Sequence, residues 1–382
     1  KFFGLLRSLV GIFLFGIQTY FLSKLVVYLI RILIFSIDNT LLDQEIFLTF
    51  LLGLNIIDWI SILLVIVFQT MLFSIGMQYN KKLINYSAII VYVGMVIFFL
   101  TVFLSDVKTT TQAFSNILNF ENLLNKNNIL PLLTVAGTVF AYFSIIIVSF
   151  GDFSRYVKNK EDLNKGNLSL ILNLIIFSFF SIAIVVGSDV FLNQKFQDMD
   201  RIFTNPTDII GKFNNLQITI VVLFFIIIAS ASTNLVANYI PSQYSLINFL
   251  PNKLNLKSSS YTISILGLIV GIFWLTVLSQ IGVLSFIDTF SCFFGPLFGV
   301  IIADYYLIKN QTLSNKDLYS VETQSIYYYS RGWHIKGAYS IILGFIFSAS
   351  TIWNSNLMFL QSYAWIIGAF TSWVTYYLLA KK

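Results

Sequence analysis

Ten stretches of about 20 residues run almost without charge along the 382-residue chain, and short segments between them hold most of its charged residues. An apolar stretch of this length crosses a bilayer as one α-helix, because a helix satisfies its own backbone hydrogen bonds. The pattern therefore predicts an all-α integral membrane protein with ten spans, near residues 8–28, 56–77, 84–104, 130–150, 168–190, 216–240, 261–281, 283–307, 337–353 and 358–380.

The segment 29–55 interrupts this pattern. It is apolar but contains four charged residues, Arg31, Asp38, Asp43 and Glu45. This composition predicts an extracellular segment that lies partly in the membrane interface, rather than another crossing. Directly after it, Asn55 and Asp58 are expected to cap the start of the second helix.

Composition and charge support the membrane assignment. The chain is 57% hydrophobic and 10% charged, whereas soluble domains carry about 25% charged residues. One set of loops and chain ends holds 16 of the 23 Lys and Arg residues, and this bias predicts that the set is cytoplasmic. Both chain ends belong to it, and we expect the plasma membrane of a bacterium. The bias also accounts for the net charge of +6, so we infer no nucleic-acid binding.

A polar run lies in the sixth apolar stretch, which carries no charge between Lys212 and Lys253. Ala229, Ser232 and Thr233 fall at helical positions i, i+3 and i+4 and share one face. Hydroxyl and carbonyl oxygens on this face can coordinate a hard cation such as Na⁺. In the alternative, both hydroxyls bond back to carbonyls one turn earlier, as Ser and Thr often do in membrane helices. Spacing alone leaves both interpretations open.

Three amide side chains in apolar stretches are candidates for substrate binding. Asn234 and Asn238 lie one helical turn apart, and Gln18 lies in the first stretch. An amide presents a donor beside an acceptor, which complements the N–H and C=O edge of a uracil, cytosine or hydantoin ring. In the alternative, the amides join helices to one another, and we favour that interpretation for Asn234.

The chain offers little for catalysis or metal chemistry. Its one cysteine, Cys292, lies in an apolar stretch and its one histidine, His334, in a predicted cytoplasmic loop, and neither suggests a metal site. Asp152 and Arg155, one turn apart at a helix end, are interpreted as a structural anchor. A membrane enzyme needs an acid, a base, a nucleophile or a metal cluster at a cavity. The sequence shows no such cluster, so an enzyme is disfavoured.

Five motifs occur in order over nearly the whole chain. They are Phe-Gly-Ile-Gln-Thr at 15–19, Gly-Asp-Phe-Ser-Arg-Tyr at 151–156, Ser-Thr-Asn at 232–234 with Ala-Asn at 237–238, Gly-Pro-Leu at 295–297 with Ala-Asp-Tyr-Tyr-Leu at 303–307, and Asp-Leu-Tyr at 317–319. Together they resemble the nucleobase–cation symporter family, whose members handle nucleobases, hydantoins, allantoin and thiamine. The resemblance implies a leucine-transporter-like fold of two inverted five-helix repeats, followed by two further helices.

On that template, the ten spans correspond to helices three to twelve of the family. The family's first two helices, which contribute to the substrate and sodium sites, are then expected to lie outside these 382 residues. We interpret 1–382 as a single transmembrane transporter domain. Within it, 1–104 is the remainder of the first repeat, 130–307 is the second repeat, and 337–380 holds the two C-terminal helices.

The resemblance also implies site residues by position. Gln18 and Asn238 match the amides that hydrogen-bond the substrate ring, and the sodium-coordinating stretch matches Ala229, Ser232 and Thr233. Where similar proteins hold the ring between two tryptophans, this chain has Leu14 and Phe143, and Tyr142 belongs to an Ala-Tyr pair that replaces Gly-Gly. These departures imply one-sided, weaker stacking and favour a smaller or less aromatic ring such as allantoin.

The sequence thus predicts a secondary-active importer of a nucleobase or related cyclic amide, of the uracil, cytosine, hydantoin and allantoin class, coupled to Na⁺ or H⁺ by alternating access. Sodium is favoured over protons because the hydroxyl pair is retained and no deep acid is evident. No cofactor is expected beyond the coupling ion. The alternatives are a non-concentrative channel, a transport-like receptor, or a truncated permease without function.

Overall fold

The fold is built almost wholly from helices. The computed structural model describes residues 2–104, 106–119, 125–195, 215–280, 283–318 and 322–381, with the single residues 209, 212 and 320. Besides helices and turns, these residues form only two isolated β-bridges. In chain order the α-helices are α1 (Phe2–Ile37), α2 (Glu45–Leu48), α3 (Ile56–Ser74), α4 (Met77–Phe103), α5 (Val107–Ile117), α6 (Lys126–Val148), α7 (Phe150–Ser154), α8 (Lys160–Lys195), α9 (Leu216–Thr233), α10 (Ile240–Phe249), α11 (Leu256–Phe273), α12 (Val283–Ile302), α13 (Asn315–Leu318), α14 (Ile335–Trp353) and α15 (Ala364–Ala380).

Tighter and wider helical turns extend several of these helices. Two 3₁₀ segments cover Leu41–Asp43 and Ser355–Tyr363. Three π-helical turns directly follow α9, α11 and α12, at Asn234–Tyr239, Trp274–Leu278 and Ala303–Ile308.

Ten helical segments among the described residues are long and apolar enough to cross a membrane, which confirms the predicted fold class. They are Gly4–Ile37, Ile56–Ser74, Gln78–Phe103, Lys126–Val148, Lys160–Leu192, Leu216–Phe249, Leu256–Phe273, Phe286–Ile308, Ile335–Trp353 and Ser355–Ala380. The sixth segment is continuous through α9, its π-helical turn and α10, so it reaches further than the sequence pattern indicated.

The first helix is also longer than predicted. α1 continues without a break to Ile37, beyond the predicted end of the first span at residue 28, while the interfacial position of 29–55 stays a prediction. Arg31 does not end the helix because its side chain lies on the exposed surface, where a charge leaves the backbone hydrogen bonds intact. At about 1.5 Å per residue, the 36 residues of α1 extend about 54 Å, well beyond the roughly 30 Å of bilayer hydrocarbon.

The start of α3 forms the predicted cap. The Asn55 side chain accepts a hydrogen bond from Asp58 N–H at 2.9 Å, and Asp58 Oδ2 accepts one from Asn55 N–H at 3.1 Å. The other carboxylate oxygen of Asp58 accepts a charged hydrogen bond from Lys24 Nζ at 2.7 Å. The cap therefore also ties α3 to α1.

α1 is the centre of one helical cluster and contacts α3, α9, α10 and α11. Glycines permit the closest approach in this cluster. A Cβ built on Gly16 would lie 2.5 Å from Gly267 O, and one built on Gly271 would lie 3.1 Å from Gly16 O. The two backbones touch because no side chain separates them. This contact holds α1 in register with α11 and fixes the level at which Gln18 lies.

A second cluster consists of α12, α14 and α15. Side chains on Gly295 and Gly299 would collide with carbonyls of α15, so these glycines allow the two helices to pack backbone to backbone. Ser372 of α15 donates a hydrogen bond to Pro296 O at 2.7 Å. The second cluster thus relies on the same close packing as the first.

His334 caps α14 and links it to both other helices of this cluster. Its Nδ1 accepts a hydrogen bond from Gly337 N–H at 3.1 Å, so in the neutral ring the proton lies on Nε2, which is 3.4 Å from Tyr376 Oη. Tyr376 Oη donates to Asp304 Oδ1 at 2.6 Å. Burial lowers the pKa of His334, against the opposing effect of the Asp304 carboxylate. The cap requires the neutral ring, because a protonated Nδ1 cannot accept a hydrogen bond.

We expect His334 to make the stability of the protein depend on pH. The folded state holds the pKa of His334 below the value of about 6.5 in the unfolded chain, so its contribution is full above that pH and is lost as the pH falls below it. His334→Asn keeps a capping acceptor without a titrating group. Thermal unfolding in detergent at about pH 7.5 and 5 should show the variant gaining stability relative to the wild type at the lower pH. An equal difference at both values would contradict this role.

Candidate functional site

The polar run of the sixth span ends in a π-helical turn that lies against α1. α9 ends at Thr233, the turn covers Asn234–Tyr239, and α10 begins at Ile240. Ile240 N–H donates to Leu235 O, five residues earlier, where an α-helix would use Val236. Such turns bulge a helix and are frequent at functional sites.

The structure brings Gln18 and Asn238 into direct contact, although they lie 220 residues apart in sequence. Asn238 Nδ2 donates to Gln18 Oε1 at 2.8 Å and to Asn234 Oδ1 at 3.0 Å. Gln18 Nε2 donates to Ser230 O at 3.2 Å. Among the described residues nothing donates to Asn238 Oδ1, and one hydrogen of Gln18 Nε2 is unused. The contacting amides therefore keep one acceptor, Asn238 Oδ1, and one donor hydrogen, on Gln18 Nε2.

Asn234 lies behind this pair and is completely buried. Its Nδ2 donates to Phe15 O at 3.3 Å and to Thr19 Oγ1 at 3.2 Å. Thr19 Oγ1 in turn donates to Gln69 Oε1 of α3 at 2.9 Å. These contacts agree with the predicted role of Asn234 in joining helices. The sequence analysis missed Thr19 and Gln69, although an amide inside the apolar α3 was a visible signal.

The two hydroxyls of the predicted sodium site bond back to one carbonyl. Ser232 Oγ donates to Ala229 O at 3.1 Å, and Thr233 Oγ1 donates to the same oxygen at 2.8 Å. This geometry is the alternative that spacing alone left open. It brings three oxygens together on one face of α9, and their role in binding sodium stays a prediction. The described residues contain no group of His, Cys, Asp or Glu that could hold a metal ion.

The predicted ring-contacting residues fall in two places. Leu14 is buried one turn before Gln18, in the core that also contains Trp274. Tyr142 and Phe143 lie on α6 and contact each other edge to face, with ring centroids 5.5 Å apart. Neither ring takes part in the hydrogen bonds of the amide pair, and the roles of all three side chains in binding a ligand stay predictions.

Arg7 ties the π-helical turn to the end of α6. Its side chain is fully buried, whereas the sequence pattern placed it among the charges at a cytoplasmic end. Nε donates to Ser149 Oγ at 2.5 Å, and Nη2 donates to Ala237 O at 3.0 Å. In an α-helix that carbonyl would bond to residue 241, but Pro241 has no N–H. Arg7 supplies the missing donor.

Arg155 anchors the segment after α7 to α10 through aromatic rings. Its guanidinium lies 3.8 Å from the centroid of the Tyr244 ring, and the hydroxyls of Tyr156 and Tyr244 are 2.6 Å apart. The two salt bridges among the described residues do not include Arg155 and Asp152. Burial raises the pKa of Asp152, and the positive charges of Arg155 and Arg7 oppose this effect. The anchoring partner of Arg155 is therefore Tyr244.

A cavity of about 560 Å³ lies beside the part of α1 that follows Gln18. Its wall includes Tyr20, Phe21, Lys24, Tyr28, Asp58 and Ser230. Ser230 belongs both to the cavity wall and to the surroundings of the amide pair, because its carbonyl accepts the hydrogen bond from Gln18 Nε2. The cavity is large enough for a small planar ring, and neither Gln18 nor Asn238 is among the residues that line it.

The known proteins that this chain resembles in sequence are permeases. The family model for permeases of cytosine/purines, uracil, thiamine and allantoin matches residues 2–374. The chain is 25% identical over 255 residues to the purine–uracil permease of Arabidopsis thaliana, covering 63% of this chain and 41% of the relative. It is 26% identical over 244 residues to the allantoin permease of Bacillus subtilis (strain 168), covering 64% and 48%. It is 31% identical over 146 residues to the hydantoin permease of Microbacterium maritypicum, covering 37% and 28%. The chain thus spans less than half the length of each of these relatives.

Solved structures show the same fold. The transporter Mhp1 of the nucleobase–cation symport family, in a closed conformation with bromovinylhydantoin bound, matches with a TM-score of 0.67 at 19% identity, over 98% of this chain and 74% of that one. Its inward-facing conformation matches with a TM-score of 0.59 at 20% identity and the same coverage. Both likenesses concern the fold alone, and they confirm the predicted leucine-transporter-like architecture. From the match over residues 2–374, the chain belongs to the family of permeases for cytosine and purines, uracil, thiamine and allantoin.

Proposed function

We propose that the protein imports a nucleobase-like cyclic amide of the uracil, cytosine, hydantoin and allantoin class, as a secondary-active symporter that works by alternating access. One observation carries the proposal: the contacting amides of Gln18 and Asn238, inside apolar helices, keep an acceptor on Asn238 Oδ1 and a donor hydrogen on Gln18 Nε2. A ring edge with N–H next to C=O supplies the complementary pair. The family and the printed names of its relatives support this substrate class.

Within this class, we favour a small ring of low aromatic character, such as allantoin. Leu14 stands where the family resemblance implies a tryptophan that stacks on the ring, and an aliphatic side chain cannot provide that stacking. Phe143, which contacts Tyr142 on α6, would then stack on only one side of the ligand ring. Binding would then depend more on hydrogen bonds than on stacking.

Sodium is the proposed coupling ion, at Ala229, Ser232 and Thr233. A hydroxyl that gives its hydrogen to Ala229 O keeps lone pairs for a cation, and hard cations prefer such oxygens. Ion binding that stabilises the substrate-binding form raises the affinity for substrate, and substrate raises the affinity for the ion by the same factor.

We place the protein in a bacterial plasma membrane with both chain ends in the cytoplasm. The Lys and Arg bias supports this orientation, and ten crossings put both ends on the same side. Its partners are then the lipid bilayer, the coupling ion and a small cyclic amide.

Replacing Asn238 by Ala in the full-length protein should abolish concentrative uptake. The variant removes the acceptor and leaves Gln18 Oε1 without its donor, a loss of roughly 1–3 kcal/mol, or about tenfold to a hundredfold in affinity. Uptake of radiolabelled allantoin and uracil into vesicles measures this, with Thr70→Val as a control that removes a partly buried hydroxyl on α3 outside the amide network. Normal uptake by a folded Asn238→Ala protein would contradict the assignment of Asn238 to substrate binding. Wild-type uptake that only equalises the substrate concentration across the membrane would indicate a channel.

Replacing sodium by choline at constant pH should stop uptake if the hydroxyl face binds the coupling ion. Thr233→Val removes one oxygen at nearly constant volume and should raise the sodium concentration for half-maximal uptake about tenfold, whereas Thr233→Ser should stay close to the wild type. Vesicle uptake over a series of sodium concentrations measures the shift. Transport that persists in choline and follows the proton gradient would show that protons, and not sodium ions, drive uptake.

A further inference from the structure

We infer that Asn234 is a positioning residue that helps determine which atom Asn238 presents to a ligand. Asn234 is completely buried behind the pair. By accepting a hydrogen bond from Asn238 Nδ2, it holds the Asn238 amide in one orientation and restricts ligands to rings with an unsubstituted N–H that can point at Asn238. This inference rests on the proposed function, which it deepens by naming the chemical feature that the site selects.

Two backbone carbonyls fix the orientations from opposite ends of the network. A carbonyl oxygen only accepts hydrogen bonds, so the atom of Asn234 that faces Phe15 O must be Nδ2, and Oδ1 then faces Asn238. By the same reasoning, Gln18 must turn Nε2 toward Ser230 O, which leaves Oε1 facing Asn238.

Asn238 lies between these two oxygens and has one orientation that suits both. Its Nδ2 carries two hydrogens, and both are used, at 2.8 Å to Gln18 and 3.0 Å to Asn234. Turning the amide would place its oxygen against two other oxygens and lose both bonds, at about 1 kcal/mol each. Asn238 can therefore only accept a hydrogen bond from a ligand.

Asn234 is itself held from behind. Its second amide hydrogen is donated to Thr19 Oγ1, and Thr19 donates to Gln69 Oε1 on α3. The amide is thus fixed by two acceptors on α1, one of which is braced by a third helix. A residue that only filled space between helices would not need these directional contacts.

The consequence for a ligand is a defined pattern of atoms. A donor N–H must face Asn238 Oδ1, while the remaining hydrogen on Gln18 Nε2 can serve a ring carbonyl. A ring of the same shape with oxygen in place of that N–H would set two acceptors against each other. Sites built around a hydrogen bond reject analogues that lack the group, because the buried partner is left unpaired.

The test measures ligand binding to the purified full-length protein by calorimetry. Uracil, cytosine, hydantoin and allantoin are compared first, and the tightest ligand is then compared with analogues in which oxygen replaces one ring N–H at a time. For at least one such analogue, we expect the wild type to bind at least tenfold more weakly. Asn234→Leu keeps the branched outline of the side chain without a polar atom and removes one of the two hydrogen bonds that hold Asn238, so this ratio should fall below about threefold.

Two further variants keep the test decisive if Asn234→Leu does not fold. Thr19→Val leaves the contact with Phe15 O and removes the second acceptor, so its ratio should be intermediate, while Thr19→Ser should restore the wild-type ratio. Thr70→Val, a hydroxyl deletion on α3 outside the network, should keep the full ratio.

The outcomes separate the two claims. A wild-type protein that binds none of the four rings overturns the proposed function and this inference with it. A wild-type protein that binds and discriminates, with discrimination unchanged in both Asn234→Leu and Thr19→Val, overturns the inference alone and leaves Asn234 as a packing residue.

Discussion

Hydrocarbon provides no hydrogen-bond partners, so every polar group inside a membrane span must find one within the protein. Gln18, Asn234 and Asn238 meet this requirement by donating to one another or to backbone carbonyls. The resulting network joins α1 to α9 and to its π-helical turn. Arg7 follows the same constraint through Nε and Nη2, which donate to Ser149 Oγ and Ala237 O, although its buried Nη1 has no partner among the described residues. The arrangement of the central helices depends on these bonds.

Amides that bond mainly to one another also decide what the site can bind. The amides use all but a few of their atoms on each other, and the remaining acceptor and donor form a fixed pattern. Preorganised groups of this kind select a ligand without a cost for reorienting them. The hydroxyls of Ser232 and Thr233 differ, since both hydrogens go to their own helix. The proposed substrate site therefore depends on contacts between helices, whereas the proposed sodium site depends on a local cluster of oxygens.

The sequence was informative where one local property decides the outcome. Twenty apolar residues must form a span, so the ten spans were predictable, and a polar run in such a span was visible as an anomaly. The direct contact of Gln18 with Asn238 joins residues far apart in sequence, and only a resemblance to a family suggested that they share a site. Arg7 and Arg31 show the limits of charge patterns. Arg7 is buried and donates to a carbonyl that is distant in sequence, and Arg31 lies within an unbroken helix. Neither fact follows from composition.

The central claim is that the open acceptor and donor of the amide pair recognise the edge of a cyclic amide. A structure of the full-length protein with allantoin or uracil bound tests it most directly. We expect a ring N–H within hydrogen-bond distance of Asn238 Oδ1 and a ring carbonyl facing Gln18 Nε2, with the Asn234 contacts unchanged. A ring bound elsewhere, with the amide pair making only its bonds within the protein, would contradict it.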